Sequence, residues 1–162
     1  MNYILIGLPL SGKTTLGKKL AESLSYPFFD TDQLIEEATG QSCRTLFLSE
    51  GEHVFRVREK EVIAALNPTT PTIISVGGGA LLDSANVAKL KTLGTLIYLK
   101  TSLKDILKFI DLDHPPVYLD RDDPHQSFRT LAALRIPLYQ QAAQIIHNTE
   151  EPLEALLSKI QK

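Results

Sequence analysis

The sequence predicts an α/β fold in which helices cover both faces of a parallel β-sheet. Three observations support this prediction: five short apolar runs have strand length, segments of helical periodicity separate them, and a glycine-rich turn follows the first run. Alternation of strands and helices is typical of a three-layer arrangement with a parallel sheet in the middle. The chain has 162 residues, 43% of them hydrophobic, which fits a single domain spanning residues 1–162.

The individual elements follow from the apolar pattern. The predicted strands are Tyr3–Ile6, Phe28–Phe29, Thr72–Val76, Thr95–Leu99 and Gln144–His147. The first helix is expected over Lys13–Leu24, where Leu16, Leu20 and Leu24 recur every four residues and form one buried stripe. The other predicted helices are Thr31–Gly40, Thr45–Ser49, Glu52–Leu66, Ser84–Leu90, Ser102–Phe109, Gln126–Gln141 and Glu151–Ile160. Phe55, Val62, Ile63 and Leu66 are expected on one side of their helix.

Composition argues against several classes of function. The 17 basic and 19 acidic residues give a net charge of −2, so there is no electrostatic reason to expect a nucleic acid or a membrane as partner. The apolar stretch at residues 1–10 is too short to span a membrane and has no basic lead of the kind found in signal peptides. The single cysteine, Cys43, excludes an intrachain disulfide and fits a cytoplasmic location.

The segment GLPLSGKT, residues 7–14, matches the phosphate-binding pattern G-x-x-x-x-G-K-[ST] in full. Its glycines allow successive backbone N–H groups to point at an anion, and the positive end of the following helix adds to the attraction. Lys13 is expected to reach the β- and γ-phosphates, and the Thr14 hydroxyl to bind Mg²⁺. The predicted nucleotide-binding residues are Gly7, Leu8, Pro9, Leu10, Ser11, Gly12, Lys13, Thr14 and Thr15.

Two aspartates follow the second predicted strand, in the segment FFDTD. Residues two apart in an extended segment point the same way, so Asp30 and Asp32 are expected to face one spot. A metal-facing Asp30 and a substrate-facing Asp32 would avoid repulsion between the carboxylates, and Asp32 could then accept a proton from an attacking hydroxyl. The alternative is that Thr31 or Asp32 is only the N-cap of the next helix.

Glycines and arginines complete the candidate site. Gly77, Gly78 and Gly79 follow the third strand, and such a triplet suggests that the backbone approaches a ligand closely. Arginine binds carboxylates through two parallel hydrogen bonds, so FRVRE and RIPLY suggest an anionic substrate. Helical spacing alone does not decide which arginine of FRVRE faces the site.

In order along the chain, the motifs GLPLSGKT, DTD, GEHVFRVRE, VGGG and RIPLY resemble those of the shikimate kinases. The resemblance covers essentially the whole chain. It implies the P-loop fold of the nucleoside-monophosphate-kinase-like group, with a five-stranded parallel sheet, a substrate-binding region near residues 31–60 and a mobile lid near 110–124. It further implies a monomer that phosphorylates the 3-hydroxyl of shikimate with ATP, in the pathway to chorismate and the aromatic amino acids.

The resemblance also assigns roles by position. Lys13 would bind phosphates, Thr14 would bind Mg²⁺ with support from Asp30, and Asp32 would contact the substrate hydroxyls and act as base. Arg56, rather than Arg58, matches the family arginine that binds the substrate carboxylate. Arg135 matches the second carboxylate-binding arginine, and the glycine triplet matches residues that line the substrate.

The lid departs from the family pattern. Shikimate kinases usually carry RPLL there, whereas this chain has HPPV with His114 in place of the arginine. Phe109 stands about where the family has an arginine that stacks on adenine. The only lid arginine is Arg121, and the acidic lid residues are Asp111, Asp113, Asp120, Asp122 and Asp123. Three alternatives are open: Arg121 replaces the missing arginine, His114 does so in part, or the cation is dispensable and turnover is slow.

Other functions remain to be weighed against this one. A gluconate kinase or another small hydroxy-acid kinase could share the same phosphate loop. A catalytically weak ATP-binding relative would explain the acidic lid. A GTP-dependent switch is disfavoured, because the chain has no N-K-x-D motif for reading guanine.

Overall fold

The computed structural model describes residues 1–162 and contains a five-stranded parallel sheet in the order β2-β3-β1-β4-β5. The strands are β1 (Asn2–Ile6), β2 (Phe28–Asp30), β3 (Ile73–Ser75), β4 (Gly94–Lys100) and β5 (Ile145–Asn148). Every neighbouring pair is parallel, with Ile4 between Ile74 and Leu96 in the central register. The predicted sheet is therefore confirmed, and each predicted strand end lies within one residue of the observed one.

Seven helices connect and follow the strands. They are α1 (Lys13–Leu24), α2 (Thr31–Thr39), α3 (Cys43–Ala65), α4 (Ser84–Leu93), α5 (Leu103–Lys108), α6 (Pro124–Ala142) and α7 (Leu153–Ile160). The two helices predicted between residues 45 and 66 are one element interrupted at Gly51, whose φ of 87° is a backbone conformation that glycine adopts readily. A single turn of 3₁₀ helix at Ala80–Leu82 was not predicted. No helix is both long and apolar enough to span a membrane.

The sheet separates two hydrophobic clusters, as a three-layer fold requires. Ile4 and Ile6 of β1 belong to the larger cluster, which also contains buried residues from α3, α4, α5 and α6. Leu5 faces the opposite side, where α1 and α7 contribute Leu20 and Leu156. Leu16 and Leu24 pack against this second cluster, so the predicted stripe of α1 is confirmed.

The α2–α3 region has a small core of its own. Ile35, Leu46 and Phe55 form it, and Val62 packs against it. Ile63 and Leu66 instead belong to the larger cluster, so the four apolar residues that were predicted to share one side of the helix divide between two clusters. The helix lies at the junction of two clusters and presents different apolar residues to each.

Candidate active site

The loop between β1 and α1 encloses a buried lysine. Lys13 Nζ donates to the carbonyl oxygens of Gly7 and Leu8 at 3.0 and 2.7 Å. Burial lowers the pKa of Lys13 to about 8, although the nearby Asp32 and Asp30 act in the opposite direction. Gly12, with φ 86°, turns the chain directly into α1, whose N-terminus therefore faces the loop. The loop has the geometry and the charge of an anion-binding site.

Asp30 joins this loop to the second strand. Its Oδ2 accepts a hydrogen bond from Thr14 Oγ1 at 2.8 Å, and its Oδ1 accepts one from the backbone N–H of Asp32 at 2.9 Å. Asp30, and not Thr31 or Asp32, is thus the N-cap of α2. The extended-segment argument was wrong, because Asp32 lies in the first helical turn; both aspartates nevertheless line one cleft.

Asp32 and Glu59 place two buried carboxylate oxygens without partners in that cleft. Asp32 Oδ1 and Glu59 Oε2 have no hydrogen-bond donor. Burial raises the pKa of both carboxyl groups, and Asp30 raises that of Asp32 further, while the Arg56 guanidinium lowers both. A buried acceptor without a donor is costly, so these oxygens are suited to receive a ligand hydroxyl.

Two arginines lie in the same cleft. Arg56 Nη1 donates to Glu59 Oε1 at 2.9 Å, and its Nε is 3.7 Å from Glu52 Oε1. Arg135, on α6, is only 7% exposed and forms none of the ion pairs in the structure. Arg58 instead pairs with Glu61 at the surface. Burial lowers the pKa of Arg135, but a guanidinium stays charged at neutral pH, so Arg135 places a positive charge without an acidic partner in the cleft.

The three glycines after β3 make room for protein groups. A Cβ on Gly77 would lie 2.9 Å from Glu59 Oε2, and one on Gly78 would lie 2.5 Å from Pro9 Cδ. A Cβ on Gly79 would collide with the guanidinium of Arg56. The triplet was predicted to let the backbone approach a ligand; it lines the cleft, but the space beside it holds side chains of the loop and the substrate region.

The cleft has a volume of about 530 Å³ and reaches from the phosphate loop to the lid. Of the lid, only Pro116, Val117 and Tyr118 line it. Arg121 is exposed and lies outside its walls. His114 is also exposed, and its Nδ1 is 3.5 Å from Asp111 Oδ2.

Comparison with known proteins decides the family. The sequence model of the family described as "Shikimate kinase" matches residues 9–162. A shikimate kinase of Clostridium botulinum (strain Loch Maree / Type A3) is 37% identical over 164 residues, covering 99% of this chain and 96% of the relative. The chain belongs to the shikimate kinase family. The crystallised shikimate kinase of Acinetobacter baumannii, in complex with shikimate, superposes with a TM-score of 0.87 at 34% identity, covering 99% of this chain and 91% of that one.

The gluconate kinase alternative has much weaker support than shikimate kinase. A gluconokinase from Sinorhizobium meliloti 1021 superposes with a TM-score of 0.50 at 14% identity, covering 98% of this chain and 87% of that chain. Identity this low shows only that the fold is shared. As a shikimate kinase family member, the chain uses ATP as its co-substrate.

Sequence reasoning assigned no role to several residues of this shikimate kinase cleft. Glu59 is the last residue of the quoted motif FRVRE, so its signal was present but was not interpreted. Tyr118 belongs to no motif, and its position in the sequence does not indicate that it reaches the cleft. The unassigned lining residues are Cys43, Arg44, Phe47, Phe55, Glu59, Ser75, Val76, Pro116, Val117 and Tyr118.

Proposed function

We propose that this chain transfers the γ-phosphoryl group of ATP to the 3-hydroxyl of shikimate, giving shikimate 3-phosphate and ADP. The observation that carries the proposal is the unpartnered Asp32 Oδ1, buried in a cleft that also holds the phosphate loop and the two arginines. A single substrate with a carboxylate and a nearby hydroxyl satisfies both ends of this arrangement. Shikimate has both groups.

Arg56 and Arg135 bind the substrate carboxylate in this proposal. Arg135 has no acidic partner in the protein, and Arg56 is held in place by Glu59. Both cations line the cleft, as does the glycine triplet, Gly77, Gly78 and Gly79, which lines the substrate in this proposal. An Arg–carboxylate pair fixes orientation as well as affinity, because it forms two parallel hydrogen bonds.

Asp32 acts as the base for phosphoryl transfer. Its Oδ1 accepts the proton of the attacking hydroxyl while that oxygen forms a bond to the γ-phosphorus. The bond from the γ-phosphorus to the bridging oxygen breaks, and ADP leaves with the electron pair. Burial raises the pKa of Asp32 above that of an exposed aspartate, which makes it a better proton acceptor for this step.

The phosphate loop, Gly7 to Thr15, positions the nucleotide, and Lys13 stabilises charge on the transferred phosphoryl group. Thr14 and Asp30 are the residues that would hold Mg²⁺. Their side-chain oxygens are 2.8 Å apart and are hard oxygen donors of the kind Mg²⁺ prefers, with the remaining ligands coming from phosphates and water. The ion, when bound, would neutralise phosphate charge.

Arg121 is the proposed cation of the lid, residues 110–124. Because it lies outside the cleft walls in the structure, this role requires a lid conformation that brings its side chain toward the phosphates. Closure of such a lid would exclude water from the reacting phosphoryl group. We further propose that the chain acts as a cytoplasmic monomer, as predicted from its single cysteine and from the family.

The proposal is tested by measuring ADP release with ATP and Mg²⁺, in the presence and absence of shikimate. We expect release to depend on shikimate and to fall by about 10²–10⁴-fold in Asp32→Asn. Asp105→Asn changes a partly exposed aspartate of α5 that pairs with Lys108 outside the cleft, and this variant should retain wild-type activity. ATP binding without shikimate-dependent release would overturn the proposal, and a panel of hydroxy acids including gluconate would then identify another acceptor.

A further inference from the structure

Tyr118 is the one residue with a polar side chain that the lid contributes to the cleft wall. The other two lid residues in the cleft wall, Pro116 and Val117, are apolar. The lid therefore contributes a tyrosine to the cleft wall, and no charged side chain.

The protein fixes the position of this tyrosine from both sides. The turn that carries it is closed by a 3.1 Å hydrogen bond from Leu119 N–H to the Pro116 carbonyl oxygen, and Leu119 is buried. Asp120 N–H then donates to Ser127 Oγ of α6 at 3.0 Å. The ring of Tyr118 packs against the larger hydrophobic cluster. The ring and the backbone beside it are thus held by packing and by the turn, which favours a positioned contact of the hydroxyl.

The charges around Tyr118 indicate which ligand group it meets. Burial raises its pKa to about 12, so the hydroxyl keeps its proton and can donate it. Arg135 lowers this pKa and Asp32 raises it, and both residues line the same cleft as Tyr118. Since Arg135 has no acidic partner in the protein, an anionic group of the ligand fits beside it, in the cleft that Tyr118 also lines.

We propose that the Tyr118 hydroxyl donates a hydrogen bond to the carboxylate of the acid substrate beside Arg135, and so helps determine selectivity for acids. The inference rests on the proposed function. It assigns to the lid a direct contact with the acceptor substrate, through a residue that belongs to none of the sequence motifs.

Tyr118→Phe tests the contact, since it removes the hydroxyl and keeps the ring. Because this variant loses a hydrogen bond to a charged group, we expect its affinity for shikimate to fall by about tenfold or more. Isothermal titration calorimetry measures it without turnover. The KM for shikimate should rise in parallel, while the KM for ATP stays unchanged. Tyr26→Phe is the matched control, because Tyr26 packs on the opposite side of the sheet and does not line the cleft.

The methyl ester of shikimate identifies the contacted group. If Tyr118 binds the carboxylate, Tyr118→Phe should weaken binding of the ester much less than binding of shikimate, because a neutral acceptor makes a weaker hydrogen bond. Equal losses for acid and ester, or unchanged shikimate affinity, would overturn the inference. A wild-type protein that neither binds nor phosphorylates shikimate would overturn the proposed function instead.

Discussion

The phosphate loop at residues 7–15 and the lid at 110–124 differ in what specifies them. The loop depends on backbone geometry: glycines at fixed spacing, one lysine held by carbonyl oxygens and a helix that begins at that lysine. The lid depends on individual side chains, and its charged residues lie mostly at the surface. A site formed by the backbone can be predicted from the spacing of residues in the sequence. A site formed by individual side chains can be located only once their packing is known.

Replacing Lys13 tests the loop half of this comparison and has the largest expected effect. Lys13→Met keeps most of the side-chain volume and removes the only cation inside the loop, so kcat should fall by at least about 10²–10³-fold. Steady-state ADP release measures this. Lys18→Met is the matched control on the exposed face of α1 and should leave kcat unchanged. Wild-type turnover in Lys13→Met would show that the loop positions phosphate through its backbone alone.

Arg121→Ala tests whether a side chain of the lid contributes to catalysis. Because Arg121 is the only fixed positive charge in the lid, its removal should lower kcat by about a hundredfold, the lower end of the range for losing one transition-state contact. Arg129→Ala provides a control, since Arg129 is exposed on α6 outside the cleft. An unchanged kcat would show that Arg121 has no role in the mechanism, so that either His114 acts in its place or no lid cation is needed. His114→Arg would then distinguish these two alternatives: an increase in kcat indicates a role for position 114, and an unchanged kcat indicates that the cation is dispensable.

The same difference explains what could be predicted from the sequence. Strand ends and the start and end of α1 followed from apolar periodicity, and the loop followed from its motif. The helical period did not distinguish Arg56 from Arg58; only the family pattern selected Arg56, which is the one the structure places in the cleft. Tyr118 could not be found, because the direction of a side chain in a long loop is set by what packs beneath it.

The glycine triplet shows a subtler limit of sequence reasoning. Its presence was recognised, but the close neighbours of Gly77 and Gly79 come from α2 and α3, far away along the chain. Such neighbours are known only once the helices are docked. A motif can therefore mark a position as crowded without indicating which groups crowd it.

The smallest expected effect is on ATP affinity as the pH changes. It tests how much the charge of Lys13 adds to the backbone geometry of the loop. Burial lowers the pKa of Lys13 to about 8, and bound phosphates would raise it again. Below that pH the lysine is already charged and affinity should be flat. Above it, binding must take up a proton, so affinity should fall by up to about tenfold per pH unit. Calorimetric ATP titrations in buffers of different ionisation enthalpy measure both the affinity and the proton uptake. In Lys13→Met, ATP affinity should not fall above pH 8 and binding should take up no proton. If affinity falls with pH as steeply in that variant as in the wild type, another group titrates and Lys13 is charged throughout.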